Sequence, residues 1–276
     1  MTRIIKAGNE ASRGTFFSEE TFQRSYEDSI TNPDEFWATQ ATEFLTWQQT
    51  WSRVSRCNMA KGEIEWFLEG KLNASENCID RHLADKANRT AIIWEGDEPG
   101  DCKKISYRDL FEEVCKLANG LKSLGVKKGD RVCIYMPMIP EAAFAMLSCA
   151  RIGAIHSVVF GGFSPQALED RILDADCHFV ITANEGHRGG KIIPLKQNVD
   201  KALENCPNVK SVIVAKRTEN DVNWVDGRDL WYQEVTGRQM PSCPPEIMDS
   251  EDPLFILYTS GSTGKPKGVQ HSTAGY

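Results

Sequence analysis

Beyond about residue 78 the chain alternates two patterns that belong to different kinds of element. Residues 131–136 (Arg-Val-Cys-Ile-Tyr-Met) form a nearly continuous apolar run, and 155–160, 178–182, 210–215 and 254–258 are apolar-rich runs of similar length. A strand without polar alternation must be covered on both faces, which is the condition of strands inside a parallel sheet. Between these runs the apolar residues recur every three or four positions. Leu110, Val114, Leu117, Leu121 and Leu124 do so after Ser106 and Asp109, a capping-box pair, and Gly125 supplies a stop. Glu112 and Lys116 lie one turn apart on that helix and are expected to pair. Residues 141–152 are apolar almost all round and predict a deeply buried helix. Ser164 and Pro165 read as N-cap and N1 of a helix with Leu168 and Ile172 inward, and 194–205 places Leu195, Val199, Ala202 and Leu203 on one face. This order predicts βαβ units with right-handed crossovers. The expected fold class is α/β, with a doubly wound, mostly parallel sheet.

Residues 1–75 break that rhythm. They are polar and acidic, carry Trp37, Trp47, Trp51 and Trp66, and place Phe36, Phe44 and Trp47 at helical spacing. An aromatic-rich arm or helical cap packed on the larger body is expected. A row of aromatics for sugar or RNA would need interleaved basic residues, which are sparse here. Residues 76–250 then read as a first α/β subdomain, with a short strand at 91–94 and a connection at 216–250, and 251–276 as the start of a second.

In open α/β sheets ligands gather at the carboxyl ends of the strands, and three loops there have unusual composition. Phe160-Gly-Gly-Phe163 follows one strand and Glu185-Gly-His-Arg-Gly-Gly-Lys191 another. Taken alone both are weak signals, since a double glycine is more often a turn and an Arg in a loop is usually just solvated. Thr259-Ser-Gly-Ser-Thr-Gly-Lys-Pro-Lys-Gly268 follows the third. Glycines let backbone N–H groups approach an anion, hydroxyls add donors and ammonium groups neutralise charge, so this loop reads as a phosphate cradle. It is not of the Walker type, because only two residues separate Gly261 from Gly264 and Pro266 follows Lys265. A flexible Ser/Gly linker would share the glycines, but not two lysines around a proline behind a buried strand. His187 has no carboxylate or serine partner in the sequence pattern and is assigned no acid–base role.

Composition narrows the function classes. Thirty-two basic against 39 acidic residues give a net charge of −7, which argues against a general nucleic-acid surface and makes any anion site local. The nine cysteines contain no CxxC pair and no zinc spacing with the five histidines, so they are expected to be reduced core thiols, with a cytoplasmic setting. No signal-peptide pattern opens the chain. The most apolar stretch, 142–163, is interrupted by Arg151, Gly153 and His156, so no membrane span is expected.

The segments Asn77-Cys-Ile-Asp-Arg-His-Leu83, Arg89-Thr-Ala-Ile-Ile-Trp-Glu-Gly96, Tyr135-Met-Pro-Met-Ile-Pro-Glu141, Gly153 to Pro165, Arg188-Gly-Gly-Lys191, Gly227-Arg-Asp-Leu-Trp231 and Leu257 to Val269 together cover nearly the whole chain. In that combination the sequence resembles the adenylate-forming, AMP-dependent synthetase superfamily, and within it the acetyl-CoA synthetase (AMP-forming acetate–CoA ligase) family. The last segment carries the superfamily likeness; the earlier ones narrow it to the short-chain acyl branch.

The resemblance implies a two-step reaction on the small-molecule substrates acetate, ATP and CoA, and leaves oligomeric state open. Acetate attacks the α-phosphate of Mg·ATP to give acetyl-AMP and pyrophosphate; the CoA thiolate then displaces AMP. It assigns Thr259, Ser260, Gly261, Ser262, Thr263, Gly264, Lys265 and Lys267 to the ATP phosphate loop. It assigns Arg188, Gly189, Gly190, Lys191, Phe160 and Gly162 to the CoA site, with Lys191 standing where many relatives carry Arg. No catalytic residue and no metal ligand is assigned; Mg²⁺ would be held mostly by residues outside this chain. Because family members are longer, the chain is expected to be a truncated N-terminal part, inactive alone, with the 254–258 strand left at an edge or under an exposed apolar patch. Propionyl-CoA synthetase and a non-catalytic nucleotide- or CoA-binding fragment stand as alternatives.

Overall fold

Two helices whose outer faces carry Glu, Gln and Ser lead the structure, a computed structural model that describes residues 17–259 and 266–276. Helix α1 (Glu19–Thr31) is capped by the Ser18 hydroxyl, which accepts from the Thr21 amide at 3.1 Å. Helix α2 (Pro33–Phe44) starts on a proline at its first turn and ends at Phe44, so the helical spacing of Phe36, Phe44 and Trp47 does not continue to Trp47. Trp47 lies in the extended stretch beyond and folds back, its indole N–H donating to the Ala41 carbonyl at 3.0 Å. An antiparallel hairpin follows, β1 (Arg53–Asn58) and β2 (Glu63–Leu68). Trp47, Trp51 and Phe67 meet with ring centroids 4.8–5.3 Å apart, and Trp37 lies edge-on to Trp66 at 6.2 Å. These five aromatic residues therefore pack on one another, whereas Phe22, Tyr26 and Phe44 are exposed. The helical-cap expectation missed the hairpin that supplies Trp66 and Phe67.

Strand β3 (Lys71–Leu72), α3 (Ala74–Cys78), a 3₁₀ turn at Asp80–His82 and α4 (Leu83–Lys86) lead to a second hairpin, β4 (Thr90–Glu95) and β5 (Cys102–Ser106). Helix α5 (Tyr107–Ser123) has both halves of its capping box formed between Ser106 and Asp109. Leu110, Val114, Leu117 and Leu121 are buried as the periodicity required. The expected Glu112–Lys116 pair is not formed; Lys116 reaches Glu113 instead, at 2.9 Å. The alternation then runs β6 (Arg131–Met136), α6 (Pro140–Arg151), β7 (Ile155–Phe160), α7 (Pro165–Asp174) and β8 (Phe179–Ala183). A short hairpin, β9 (Gly186–Arg188) and β10 (Lys191–Ile193), precedes α8 (Leu195–Leu203). Strands β11 (Ser211–Ala215) and β12 (Asp229–Trp231), α9 (Tyr232–Gly237), β13 (Met248–Asp249), β14 (Pro253–Thr259) and β15 (Lys267–Ser272) complete the order.

Seven strands form the central sheet in the order β12-β11-β8-β6-β7-β14-β15, all neighbours parallel except the final antiparallel pair. From β6 the chain moves to β7 in one direction and then crosses back to β8 on the other side. Right-handed crossovers of opposite direction place their helices on opposite faces. Helix α6 accordingly packs with α5, and α5 with α9, while α7 packs with α8. This is the doubly wound α/β arrangement that the alternation predicts. Strand β14 is not an edge: β7 and β15 flank it, and the apolar side chains left open there are Leu257 and Val269. The segment 251–276 thus adds its two strands to the same sheet. Hydrogen bonds also tie the first 75 residues to the body, since β3 pairs with β13 and the buried Asn73 amide donates to the Ala150, Arg151 and Glu246 carbonyls.

Two ionic clusters brace the core. Arg151 is buried and holds both carboxylate oxygens of Asp80 at 2.8 Å. The Lys196 ammonium, wholly buried, lies 2.7 Å from Asp200 and 2.8 Å from Asp229, and Arg228 bridges the same two carboxylates. Buried charges persist only when paired in this way. Asp80 and the Arg228–Asp229 pair belong to segments that carried the family likeness, and here their work is architectural. Among the described residues no helix is long and apolar enough to cross a membrane.

Candidate functional site at the carboxyl edge of the sheet

Because the core strands are parallel, Met136, Phe160, Ala183, Ala215 and Thr259 all end on one edge. The order reverses at β6, so a crevice opens there, where such sheets bind ligands. All three loops singled out by composition start from this edge.

The Arg188 loop is the tip of the β9–β10 hairpin. Arg188 and Lys191 are paired directly across it, and Gly189 and Gly190 both have positive φ, +56° and +72°. Two positive φ values in a two-residue loop define a type I′ turn, which explains the double glycine. Cross-strand partners have Cβ atoms roughly 5 Å apart, and like charges placed so repel. Both side chains are exposed. The turn therefore concentrates positive charge that an anion would relieve.

Arg188 does not stand alone. Its guanidinium carbon lies 4.8 Å from the centroid of the Phe160 ring, at the end of β7. Gly162 closes the contact: a Cβ there would overlap Phe160 and come within 3.0 Å of Arg188 Nη1. Phe160, Gly162, Arg188, Gly189, Gly190 and Lys191 are thus brought to one place. A half-exposed ring under a guanidinium beside a second cation can stack a planar base and neutralise phosphates.

The hydroxyl-rich loop is a hairpin connection. Thr259 ends β14 and faces Lys267, the first residue of β15, across the ladder; both are exposed. Ser260, Gly261, Ser262, Thr263, Gly264 and Lys265 lie outside the described residues. Thr259 ends the strand next to β7 and Lys267 starts the strand beyond it, both on the edge that carries Phe160. A cavity of about 710 Å³ lies between, bordered there by Met136, Pro137, Phe160, Phe163, Leu257 and Tyr258. A hollow of about 580 Å³ between the arm and residues 273–276 is lined by no charged side chain and offers an anion nothing.

Composition did not point to Arg171 or Asp174 of α7, which link the two loops. Arg171 lies over the Phe163 ring at 4.6 Å and the Tyr258 ring at 5.3 Å. The Tyr258 hydroxyl donates to Asp174 Oδ2 at 2.7 Å, and burial together with that carboxylate raises the Tyr258 pKa. The signal available was a cation three positions beyond Leu168, on the apolar face of an amphipathic helix. His187 lies in β9 opposite Ile192 and meets no carboxylate or hydroxyl among the described residues. No group of three His, Cys, Asp or Glu among them could hold a metal ion.

With this geometry in place, comparison with known proteins adds the following. Residues 79–276 match the family model described as AMP-binding enzyme, and residues 22–78 match that described as acetyl-coenzyme A synthetase N-terminus. The chain is 61% identical over 261 residues to an acetyl-coenzyme A synthetase 2 of Pseudomonas aeruginosa, covering 95% of this chain and 40% of that protein. It is 59% identical over 275 residues to an acetyl-coenzyme A synthetase of Halorhodospira halophila, covering 100% of this chain and 43% of the other. The chain thus spans about two-fifths of the length of these curated relatives. Among solved structures, an acetoacetyl-CoA synthetase from Streptomyces lividans is similar with a TM-score of 0.83 at 26% identity, over 90% of this chain and 38% of that one.

Proposed function

We infer, for a chain that belongs to the AMP-binding enzyme family and carries the acetyl-coenzyme A synthetase N-terminus, that it serves the ATP-dependent conversion of acetate and CoA to acetyl-CoA. An acetate oxygen attacks the α-phosphorus of ATP and pyrophosphate leaves. The CoA thiolate then attacks the acetyl carbonyl and AMP departs. Neither step needs a nucleophile from the protein. Both need charge to be neutralised and the reactants held in line. The residues at hand are suited to that: Thr259 and Lys267 with the loop between them for the β- and γ-phosphates, and Arg188, Lys191, Phe160 and Gly162 for the nucleotide end of CoA. Mg²⁺ would enter with the nucleotide, as part of the substrate.

The observation that carries this reading is the stacking of Arg188 on Phe160, opposite Lys191, on the same sheet edge as the Thr259–Lys267 hairpin. Acetate rather than another acyl group is favoured by the names of the relatives near 60% identity. In the intact protein, Arg188→Ala is expected to raise KM for CoA about tenfold or more. Acetate-dependent exchange of pyrophosphate into ATP should stay unchanged. An equal loss of both activities, or neither, would remove Arg188 from the CoA site.

A further inference from the structure

The phenol of Tyr135 takes no part in the steps above, yet it ends directly beneath the loop that carries Phe160 and Gly162. Tyr135 is fully buried in β6. Its hydroxyl lies 2.8 Å from the Phe163 carbonyl and 3.2 Å from that of Gly161, and accepts from Asn198 Nδ2 at 3.2 Å. A hydroxyl has one hydrogen to give, so the shorter contact, to Phe163, is the donated bond. The Phe163 amide in turn donates to the Phe160 carbonyl at 2.9 Å, closing the turn at its other end.

The loop is pressed onto the same support elsewhere. A Cβ at Gly161 would stand 3.0 Å from the Met136 carbonyl oxygen and 3.3 Å from Leu195 Cδ2. Leu195 and Asn198 lie on α8, which starts two residues after the β10 strand that bears Lys191. One buried hydroxyl therefore joins β6, the β7 loop and the helix behind the hairpin. Burying a phenol oxygen costs free energy unless it is bonded, and a phenylalanine would fill the same space without that cost. All three polar contacts of this hydroxyl go to the site loop or to α8.

We propose that Tyr135 and Asn198 form a buried strut that positions the Phe160–Arg188 stack, making Tyr135 a positioning residue for CoA binding with no role in adenylation. This rests on the reading of the Arg188 turn as the CoA nucleotide site. The test uses Tyr135→Phe, which deletes the hydroxyl and keeps the ring. In the intact protein KM for CoA should rise about three- to tenfold, the loss of one hydrogen bond's worth of positioning, with pyrophosphate exchange and KM for ATP unchanged. Amide exchange at Phe163 should accelerate in the absence of any ligand. In an Arg188→Ala background the hydroxyl deletion should cost nothing further, because its effect runs through Arg188. Asn198→Ala should reproduce the pattern more weakly and serves if the first variant folds poorly. An unchanged KM for CoA in Tyr135→Phe, an equal rise for ATP, or additivity with Arg188→Ala would overturn the strut. If Arg188→Ala itself leaves KM for CoA unaltered while the Phe163 amide still loses protection, the strut stands as a structural bond and the CoA reading is what fails.

Discussion

Adjacent glycines at the end of β7 separate stability from binding at the level of single atoms. A methyl at Gly161 would press on the Met136 backbone carbonyl, which cannot move without disturbing β6, whereas a methyl at Gly162 would strike the Phe160 ring. Gly161→Ala is therefore expected to destabilise the protein by about 1–3 kcal/mol, read as a lowered denaturation midpoint. Gly162→Ala should leave that midpoint nearly unchanged. It should instead weaken CoA binding about tenfold, because the ring must swing off Arg188. Titration calorimetry with CoA and a urea melt on each variant separate the two; a Gly162→Ala protein that binds CoA normally would contradict the stack. The Gly189–Gly190 pair was legible from sequence as a turn. That it sets Arg188 opposite Lys191 followed only from the turn type, which the letters alone do not fix.

The elements most legible from sequence are those whose burial leaves one physical option. Strands β6, β7, β8 and β11 are buried on both faces, α5 and α7 carry caps, and α5, α7 and α8 each carry a 3.6-residue stripe, so their ranges followed closely from the pattern. The β1–β2 and β9–β10 hairpins are short and half exposed, so tertiary pairing decides them and no periodicity announces them. Strand β15 is mostly exposed, with polar and glycine positions, and declares itself only by its ladder to β14. Within β7, His156 is a cost that periodicity hides. It is buried beside Phe255, 5.5 Å between rings, with no hydrogen-bond partner for Nδ1 among the described residues. Burial lowers its pKa to about 4. The unfolded chain takes up a proton near pH 6.5 and the folded chain only near 4, so stability is full above 6.5 and is lost as pH falls between those values. By pH 5 the loss should reach about 2 kcal/mol. Urea midpoints at pH 7 and pH 5 would show it, and His156→Gln should flatten that dependence. A parent and variant with the same slope would return His156 to an ordinary environment.

At the scale of the whole molecule, one topological fact organises the rest. Strands β6, β7, β8 and β14 run parallel, and this collects Phe160, the Arg188 hairpin and the Thr259–Lys267 root at one edge while the opposite edge carries none of them. That was legible, since strand–helix alternation fixes the parallel sheet and a parallel sheet fixes where its loops go. The bracing that holds this edge was not, because Tyr135, Arg171 and Asn198 read in sequence as ordinary members of a strand and two helices. The cysteines report on the same whole. Cys57, Cys78 and Cys102 are exposed, whereas Cys115, Cys133, Cys149, Cys177, Cys206 and Cys243 are buried in one continuous core cluster. Burial raises the thiol pKa of Cys115 and Cys206 to about 11 and of Cys149 and Cys177 to about 12, which suppresses the reactive thiolate. A disulfide-exchange reagent should therefore modify three thiols of the native protein quickly, with Cys78 the slowest of them because partial desolvation raises its pKa. The remaining six sit on both faces of one sheet, on α5, β6, α6 and the loops around α7, α8 and α9. They should become reactive together, at a single denaturant midpoint, since exposing any of them requires the sheet to separate from its helices. Labelling followed by mass spectrometry across a urea series resolves each site. If the Cys133 and Cys177 thiols on one side of the series react well before Cys115 and Cys149, the two helical layers unfold independently and the single core inferred from the topology does not hold.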